Sequence, residues 1–334
     1  MAVRVVLDVA GGDFAPAEPV KGAVEAARRH GLSVVLVGQE DVVRRELAKH
    51  DTAGLQLAVV DAPEVVGMDE HPVAAVRAKR RSSLHVGLGL VRDGEAQAFV
   101  SAGNSGAVLA AGLFVLGRIE GIERPAIATV YPTMAGRLLL LDIGANADVR
   151  PQHLRQFALL GSVYMAKVLG VPNPRVGLLS NGEEDSKGSL VVQEAHRLLK
   201  ESGFNFIGNV EGRDVPAGTK ADVVVCDGFV GNVVIKLSEG LSETLFSLIR
   251  AEIGRSLPSR MAAAALMPAF RRIKRRLDYE EYGGAPLLGV KGVVIIAHGR
   301  STAKAIGNAL RVAAQAAEQR LVETIAEGLV AHVG

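Results

Sequence analysis

The sequence predicts a three-layer α/β/α domain, on three observations. Short runs of branched apolar residues recur along the chain, which is how buried strands read. Each run stops at a small polar, glycine-rich turn, and a helical pattern follows the turn. The turns are Val5-Val6-Leu7-Asp8 into Gly11-Gly12-Asp13, Phe99-Val100-Ser101 into Gly103-Asn104-Ser105-Gly106, and Leu139-Leu140-Leu141-Asp142 into Gly144-Ala145-Asn146. Gly177-Leu178-Leu179 into Asn181-Gly182-Glu183-Glu184, Val223-Val224-Val225-Cys226-Asp227 into Gly228, and Val294-Ile295-Ile296-Ala297-His298 into Gly299 continue the series.

In chain order the apolar runs predict strands at 3–7, 33–37, 55–60, 97–101, 125–130, 138–142, 175–179, 204–208, 222–226 and 292–297. Helical patterns lie between them at 17–30, 39–49, 104–118, 151–170, 186–201 and 230–249, with a long C-terminal stretch from 302 to 330. No internal repeat or low-complexity linker divides residues 1–334, so one catalytic domain is expected. The segment 241–282 is longer than a simple crossover needs. Leu241, Leu245, Ile249 and Ile253 recur at helical spacing, and Pro258 and Pro268 each break or restart a helix. Beyond Pro268, Phe270, Ile273 and Leu277 continue one apolar face with Leu266, while Arg271, Arg272, Lys274, Arg275 and Arg276 occupy the rest. This reads as a helical hairpin projecting from the body.

Composition narrows the function. Hydrophobic residues make up 49% of the 334, enough for a large core. Aromatics are 4%, with no tryptophan, and the net charge is +2, so neither base stacking nor a strongly basic surface points to nucleic acid. A single cysteine, Cys226, rules out an internal disulfide and suits a reducing compartment. Met1 runs straight into a strand pattern without a signal-type segment, and no apolar run reaches the ~20 residues that span a bilayer. A cytoplasmic protein is expected.

Common signatures are missing: no Gly-x-Gly-x-x-Gly after a strand, no P-loop lysine, no zinc spacing of Cys and His, and no Gly-x-Ser-x-Gly elbow. What remains resembles one family along almost the whole chain, in order. The strings are Leu7-Asp8-Val9-Ala10-Gly11-Gly12-Asp13, Ser101-Ala102-Gly103-Asn104-Ser105-Gly106-Ala107, and Asp142-Ile143-Gly144-Ala145-Asn146-Ala147-Asp148. Next come Gly182-Glu183-Glu184 with Lys187-Gly188, Gly208-Asn209-Val210-Glu211-Gly212-Arg213-Asp214, and Cys226-Asp227-Gly228-Phe229-Val230-Gly231-Asn232. Tyr282-Gly283-Gly284-Ala285-Pro286-Leu287-Leu288-Gly289 and His298-Gly299 end the series. The family is the bacterial acyl-carrier-protein:phosphate acyltransferase of phospholipid synthesis. Departures are Val9-Ala10 in place of Ala-Met, Ser105 in place of Thr, and Arg300 in place of a small residue.

The resemblance implies transfer of a long-chain acyl group from acyl carrier protein to inorganic phosphate. It also implies a mixed-sheet fold like that of isocitrate and isopropylmalate dehydrogenases, and a homodimer. The product must reach a membrane enzyme such as a glycerol-3-phosphate acyltransferase, so a peripheral membrane contact is expected. The chemistry asks for no metal or cofactor and no protein nucleophile, because phosphate itself attacks. Phosphate is expected at Asp8, Gly11, Gly12, Asp13, Ser101, Gly103, Ser105, Gly144 and Asn146, where turn N–H groups approach an anion. Asn104, Asn232, Asp227 and His298 are the catalytic candidates, with asparagine donors for an oxyanion and a histidine for the leaving thiolate. Asn209, Glu211, Gly228 and Gly231 are assigned to the substrate.

Each assignment has a plainer counterpart. The glycine turns also serve as tight connections, and Asp8, Asp142 and Asp227 equally suit helix N-caps. Cys226, inside an apolar run, reads as an inert buried thiol. The cations beside Leu266 and Phe270 fit three roles: a solvated face, a dock for an acidic carrier protein, or a contact with anionic headgroups. Three other functions share the pattern: a short-chain phosphotransacetylase acting on acyl-CoA, a metal-dependent 2-hydroxy-acid dehydrogenase, and a non-catalytic carrier-protein or membrane adaptor.

Overall fold

A computed structural model describes residues 3–277 and 279–332, with the side chains of 274–277, 279, 280, 331 and 332 left out. The first half runs β1 (Arg4–Asp8), α1 (Ala17–His30), β2 (Ser33–Gly38), α2 (Glu40–Leu47), β3 (Leu57–Asp61), α3 (Pro72–Ala78), α4 (Ser83–Arg92), β4 (Ala98–Ser101) and α5 (Ser105–Ala111). A π-helical turn, Gly112–Leu116, extends α5, and the hairpin β5 (Ala126–Thr133) and β6 (Gly136–Leu141) follows. Then come α6 (Pro151–Lys167), β7 (Val176–Ser180), α7 (Leu190–Lys200), β8 (Phe206–Glu211), α8 (Asp214–Ala217), β9 (Val223–Val225), α9 (Gly228–Gly254) and α10 (Leu257–Leu277). The chain closes with β10 (Ala285–Leu288), β11 (Val293–Ile296), α11 (Ala303–Glu318) and α12 (Leu321–His332).

The strands form one eleven-stranded mixed sheet in the order β3-β2-β1-β4-β11-β10-β5-β6-β9-β7-β8. Period-two alternation sends neighbouring residues to opposite faces. Val5 and Leu7 join the large core that includes Phe157, Tyr164 and Leu310, whereas Val6 joins a second core with Leu84, Leu88 and Val108. Along β6, Leu139 and Leu141 belong to the large core, and Leu138 and Leu140 to a third core with Cys226. Helices therefore cover both faces, giving the three layers the sequence predicts.

Strand direction is what the sequence left open. β3, β2, β1, β4 and β11 run parallel. β10 is antiparallel to both β11 and β5, and β6 is antiparallel to β5. β9, β7 and β8 then follow the direction of β6. The carboxyl ends of β1, β4 and β11 thus lie on one edge of the sheet, and those of β6, β7, β8 and β9 on the other. The turns expected to share one phosphate, from Asp8 to Asn146, are therefore divided into two groups.

Other differences have local causes. The short β10 carries Pro286 and no long apolar run, and α3 and α4 lie in a stretch without a turn signal. The C-terminal stretch is two helices, separated at Arg320, which takes φ 52°. The excursion begins earlier than 241, because α9 buries only Gly228 and Gly231 and is otherwise exposed or half-buried. Pro258 falls in the first turn of α10, where no intrahelical N–H is needed. Pro268 lies inside α10 without ending it, and the Ala264 carbonyl that it cannot bond belongs to an exposed residue.

Candidate active site

The first group of turns gathers at the ends of β1, β4 and β11. Asp8 is buried, accepts the Ser101 hydroxyl at 2.7 Å and the Ala10 N–H at 3.0 Å, and burial pushes its carboxyl up. Ser101 Oγ accepts the Gly103 N–H at 3.0 Å. A Cβ on Gly11 would lie 2.6 Å from Gly103 N, so the two loops touch through their backbones. Asp13 donates its N–H to the Gly299 carbonyl at 2.8 Å, which ties the third turn to the first. Asn104 caps α5 through Ala107 N, and its amide donates to the Met68 and Glu70 carbonyls. That side chain anchors the loop crossing this edge. His298 is exposed, and its Nδ1 accepts the Arg300 N–H at 3.1 Å, which places the proton of the neutral ring on Nε2. Ser105 is exposed at the start of α5, and Gly12 packs near Ala102 and Gly299.

The second group surrounds Asp142, a fully buried carboxylate. Its Oδ1 accepts N–H groups from Ile127, Gly144 and Ala145 at 3.0–3.1 Å; its Oδ2 accepts the Asn146 N–H at 2.7 Å and amide at 2.8 Å. Burial pushes the Asp142 carboxyl up, and these donors act against that. The turn N–H groups expected to hold phosphate at Gly144 and Asn146 are spent on this carboxylate. On the first edge the Gly103 N–H is likewise already used, by the Ser101 hydroxyl. Asp227 caps α9 by accepting Val230 N at 2.8 Å, and Gly228 donates to the Asn146 carbonyl at 2.7 Å. Gly231 packs on the Asp142 carbonyl, and Asn232, next along the helix, is exposed. Gly144, Asn146, Asp227, Gly228, Gly231 and Asn232 are therefore neighbours, away from Asp8 and His298.

A pocket of about 560 Å³ opens beside Asn146 and Pro125. Arg118, Arg124 and Arg150 line it, with Leu109 and Leu113 supplying apolar surface. The N-terminus of α6 adds the positive end of its dipole. His153 Nδ1 accepts the Arg150 N–H at 3.1 Å, so its neutral ring carries the proton on Nε2, 2.9 Å from Glu123 Oε2. The Arg118 guanidinium donates to the Glu123 carbonyl. Three guanidinium groups against one carboxylate make an anion seat with a greasy wall. These arginines are not among the sequence-predicted candidates, which come from the glycine-rich turns that follow apolar runs. Arg124 and Arg150 instead immediately precede Pro125 and Pro151, at the starts of β5 and α6. Arg-Pro at an element's start was the available signal.

Asn209 and Glu211 lie elsewhere. Asn209 is buried, with Oδ1 3.0 Å from His196 Nδ1 and its amide donating to the Glu184 carbonyl at 2.8 Å. Glu211 pairs with Arg213 at 2.6 Å, and Lys220 bridges Glu183 and Asp214 at 2.6 and 3.0 Å. Glu183, Glu211 and Asp214 approach one another, and Arg213 and Lys220 pair with them.

On the hairpin, Met261, Leu266 and Met267 are exposed, Phe270 is half-buried, and Arg271 and Arg272 are exposed. The side chains of Lys274, Arg275 and Arg276 lie outside those described. The bend between the two helices is at 255–256, so Leu266 and Phe270 sit along α10 rather than at the tip. No helix among the described residues is long and apolar enough to cross a membrane.

Residues 3–324 match the sequence family described as Fatty acid synthesis protein. The chain is 52% identical over 332 residues to the Phosphate acyltransferase of Trichlorobacter lovleyi, covering 99% of this chain and 96% of that protein. Among solved structures it is similar to a phosphotransacetylase from Streptococcus pyogenes, with TM-score 0.65 and 19% identity over 95% of this chain and 94% of that one. It is also similar to a 4-hydroxythreonine-4-phosphate dehydrogenase from Klebsiella pneumoniae, with TM-score 0.55 and 15% identity over 95% and 98% of the two chains. At those identities the two structures show the fold, a dehydrogenase-like α/β class.

Proposed function

The chain belongs to the fatty acid synthesis protein family and is an acyltransferase with phosphate as acceptor; from that premise we propose that phosphate sits in the arginine pocket beside Asn146 and takes a long-chain acyl group from acyl carrier protein. The observation that carries this reading is the pairing, in one pocket, of Arg118, Arg124 and Arg150 with Leu109 and Leu113. An acyl phosphate presents the same pairing of dianion and chain.

In the proposed reaction a phosphate oxygen attacks the thioester carbonyl carbon, the carbon–sulfur bond breaks, and the departing thiolate takes up a proton. The guanidinium groups hold the dianion against the carbonyl, so that positioning and charge compensation lower the barrier. Asn232, exposed on the first turn of α9, is the donor assigned to the developing oxyanion. Cys226 takes no part: it is buried at 4% exposure and burial pushes its thiol up. A second reading puts phosphate at the first edge, with His298 as proton donor. The exposed Ser105 and His298, next to turns that touch through Gly11 and Gly103, favour it.

The same proposal extends to partners and location. Arg271 and Arg272 suit an acidic carrier protein, and Leu257, Met261, Leu266 and Met267 suit a bilayer interface for a cytoplasmic, peripherally bound enzyme. Val233, Leu237, Leu241, Leu245 and Leu248 form an exposed stripe along α9, which a second copy of the chain covers in the proposed homodimer. The test is release of free thiol from palmitoyl-acyl carrier protein. Release that requires phosphate, and that is slow with acetyl-CoA, supports the reading. Phosphate-independent release, or preference for acetyl-CoA, refutes it.

A further inference from the structure

Two of the guanidinium groups at the pocket beside Asn146 come from separate stretches of chain. Arg124 lies in the connection before β5, and Arg150 stands immediately before α6. Two cations on long side chains hold one anion well only when their main chains are fixed relative to each other; otherwise binding has to order them first. Side chains hold the connection residue by residue. Gln156, itself buried, accepts the Glu123 N–H at 2.9 Å and donates to the Gly121 carbonyl at 2.8 Å. Arg118 donates to the Glu123 carbonyl, and the Asn146 amide donates to the Pro125 carbonyl at 2.7 Å.

One buried side chain reaches both stretches. His153 Nδ1 accepts the Arg150 N–H at 3.1 Å, and the His153 main-chain N–H donates to the Arg150 carbonyl at 2.9 Å. Capping a helix asks no more of the ring than that first bond. The other ring nitrogen goes to the second stretch: Nε2 donates to Glu123 Oε2 at 2.9 Å. The Glu123 side chain is 51% exposed, and its charge lies beside a seat for a dianion, which it repels. Its value to such a site lies in the bond to His153.

We propose that His153 is a positioning residue for the phosphate site: through Nδ1 and Nε2 it sets the spacing between Arg150 and Arg124, so that both guanidinium groups meet one anion. This rests on the reading that phosphate occupies the pocket beside Asn146. It does not make His153 the proton donor. The ring's single proton is engaged with Glu123, and a second proton on Nδ1 would face the Arg150 N–H.

The test reads the phosphate Michaelis constant, with kcat, the constant for the acyl donor and the thermal midpoint alongside. His153→Asn puts an amide oxygen where Nδ1 stands, so it keeps the helix start and loses only Glu123. It is expected to raise the phosphate constant by about fivefold or more, the worth of one hydrogen bond, and to lower kcat by a smaller factor. Glu123→Ala, at an exposed position that tolerates truncation, is expected to do the same. The double variant should be no worse than either single one, because all three lose the same bond. Glu123→Gln keeps an acceptor for Nε2–H and removes the repelling charge, so it is expected to lower the constant. A Glu123 that acted through its charge alone would make Glu123→Ala lower it too. An unmoved constant in His153→Asn and Glu123→Ala, additive effects in the double variant, or equal effects of Glu123→Ala and Glu123→Gln overturns the proposal. Arg124→Ala in parallel tells the failures apart. A constant raised there but not in His153→Asn or Glu123→Ala removes the positioning role alone; a constant unmoved in all three removes the phosphate seat as well.

Discussion

Gly231 meets the main chain of Asp142 so closely that a Cβ at Gly231 would lie 1.9 Å from the Asp142 carbonyl oxygen. The first turn of α9 is thereby pressed onto the loop that carries Asn146. Gly231→Ala is expected to lose stability on the order of 2–4 kcal/mol, because neither backbone can withdraw without breaking the Asp142 hydrogen bonds. Thermal unfolding measures this. An unchanged midpoint would show that α9 and the loop separate freely.

How much of this was legible beforehand depends on the kind of signal. Val5-Val6-Leu7 and Leu139-Leu140-Leu141 announce strands because a buried strand needs branched apolar residues on both faces. β10 escaped because four residues with a proline carry too little pattern. Its absence hid the sheet's reversal, since β10 and β5 are what turn β6 to β9 the other way. The motif residues were visible as letters, yet their partners were not. That the Gly144 and Asn146 N–H groups are consumed by Asp142 is a fact of three-dimensional contact. Arg124 was equally visible, and nothing in a single sequence says that it stands next to Asn146.

The ion pair between Arg175 and Asp222 joins β7 to β9 and sets a pH dependence. Burial pushes the Asp222 carboxyl up, but the Arg175 side chain and N–H more than reverse this, holding it below the usual carboxylate range. A depressed acid stabilises the fold above its unfolded pKa of about 3.9, and loses that contribution as pH falls through the folded value. Asp222→Asn is therefore expected to cost about 1–3 kcal/mol at pH 7 and progressively less below pH 4. Denaturant titrations at the two pH values check it; a difference independent of pH would contradict the assignment.

Cys226 tests whether the protein forms an acyl-enzyme. Its Sγ lies 3.4 Å from the Asp142 carbonyl oxygen, inside the third core. Cys226→Ala is expected to keep turnover within about twofold, a difference under ~0.5 kcal/mol in the barrier. Loss of activity without loss of fold, or trapping of an acylated Cys226, would overturn direct attack by phosphate.

The hairpin surfaces make two separable expectations. Leu241→Asp with Leu245→Asp should convert a dimer to a monomer in sedimentation, since both side chains are exposed in the stripe along α9. Met261→Glu with Leu266→Glu should reduce flotation with anionic liposomes while leaving turnover of soluble substrate nearly unchanged. Unaltered sedimentation would dismiss the α9 interface, and unaltered flotation the bilayer contact.

The phosphate Michaelis constant of Arg124→Ala and Arg150→Ala tests the central claim most directly. Each guanidinium removed from a dianion forfeits a charge-assisted hydrogen bond of about 1.5–3 kcal/mol, so the constant should rise tenfold or more in each variant. Melting temperature and the constant for the acyl donor should stay close to wild type. If phosphate saturation is unchanged in both, while His298→Ala raises the constant instead, then phosphate binds at the opposite edge of the sheet and the arginine pocket is not its seat.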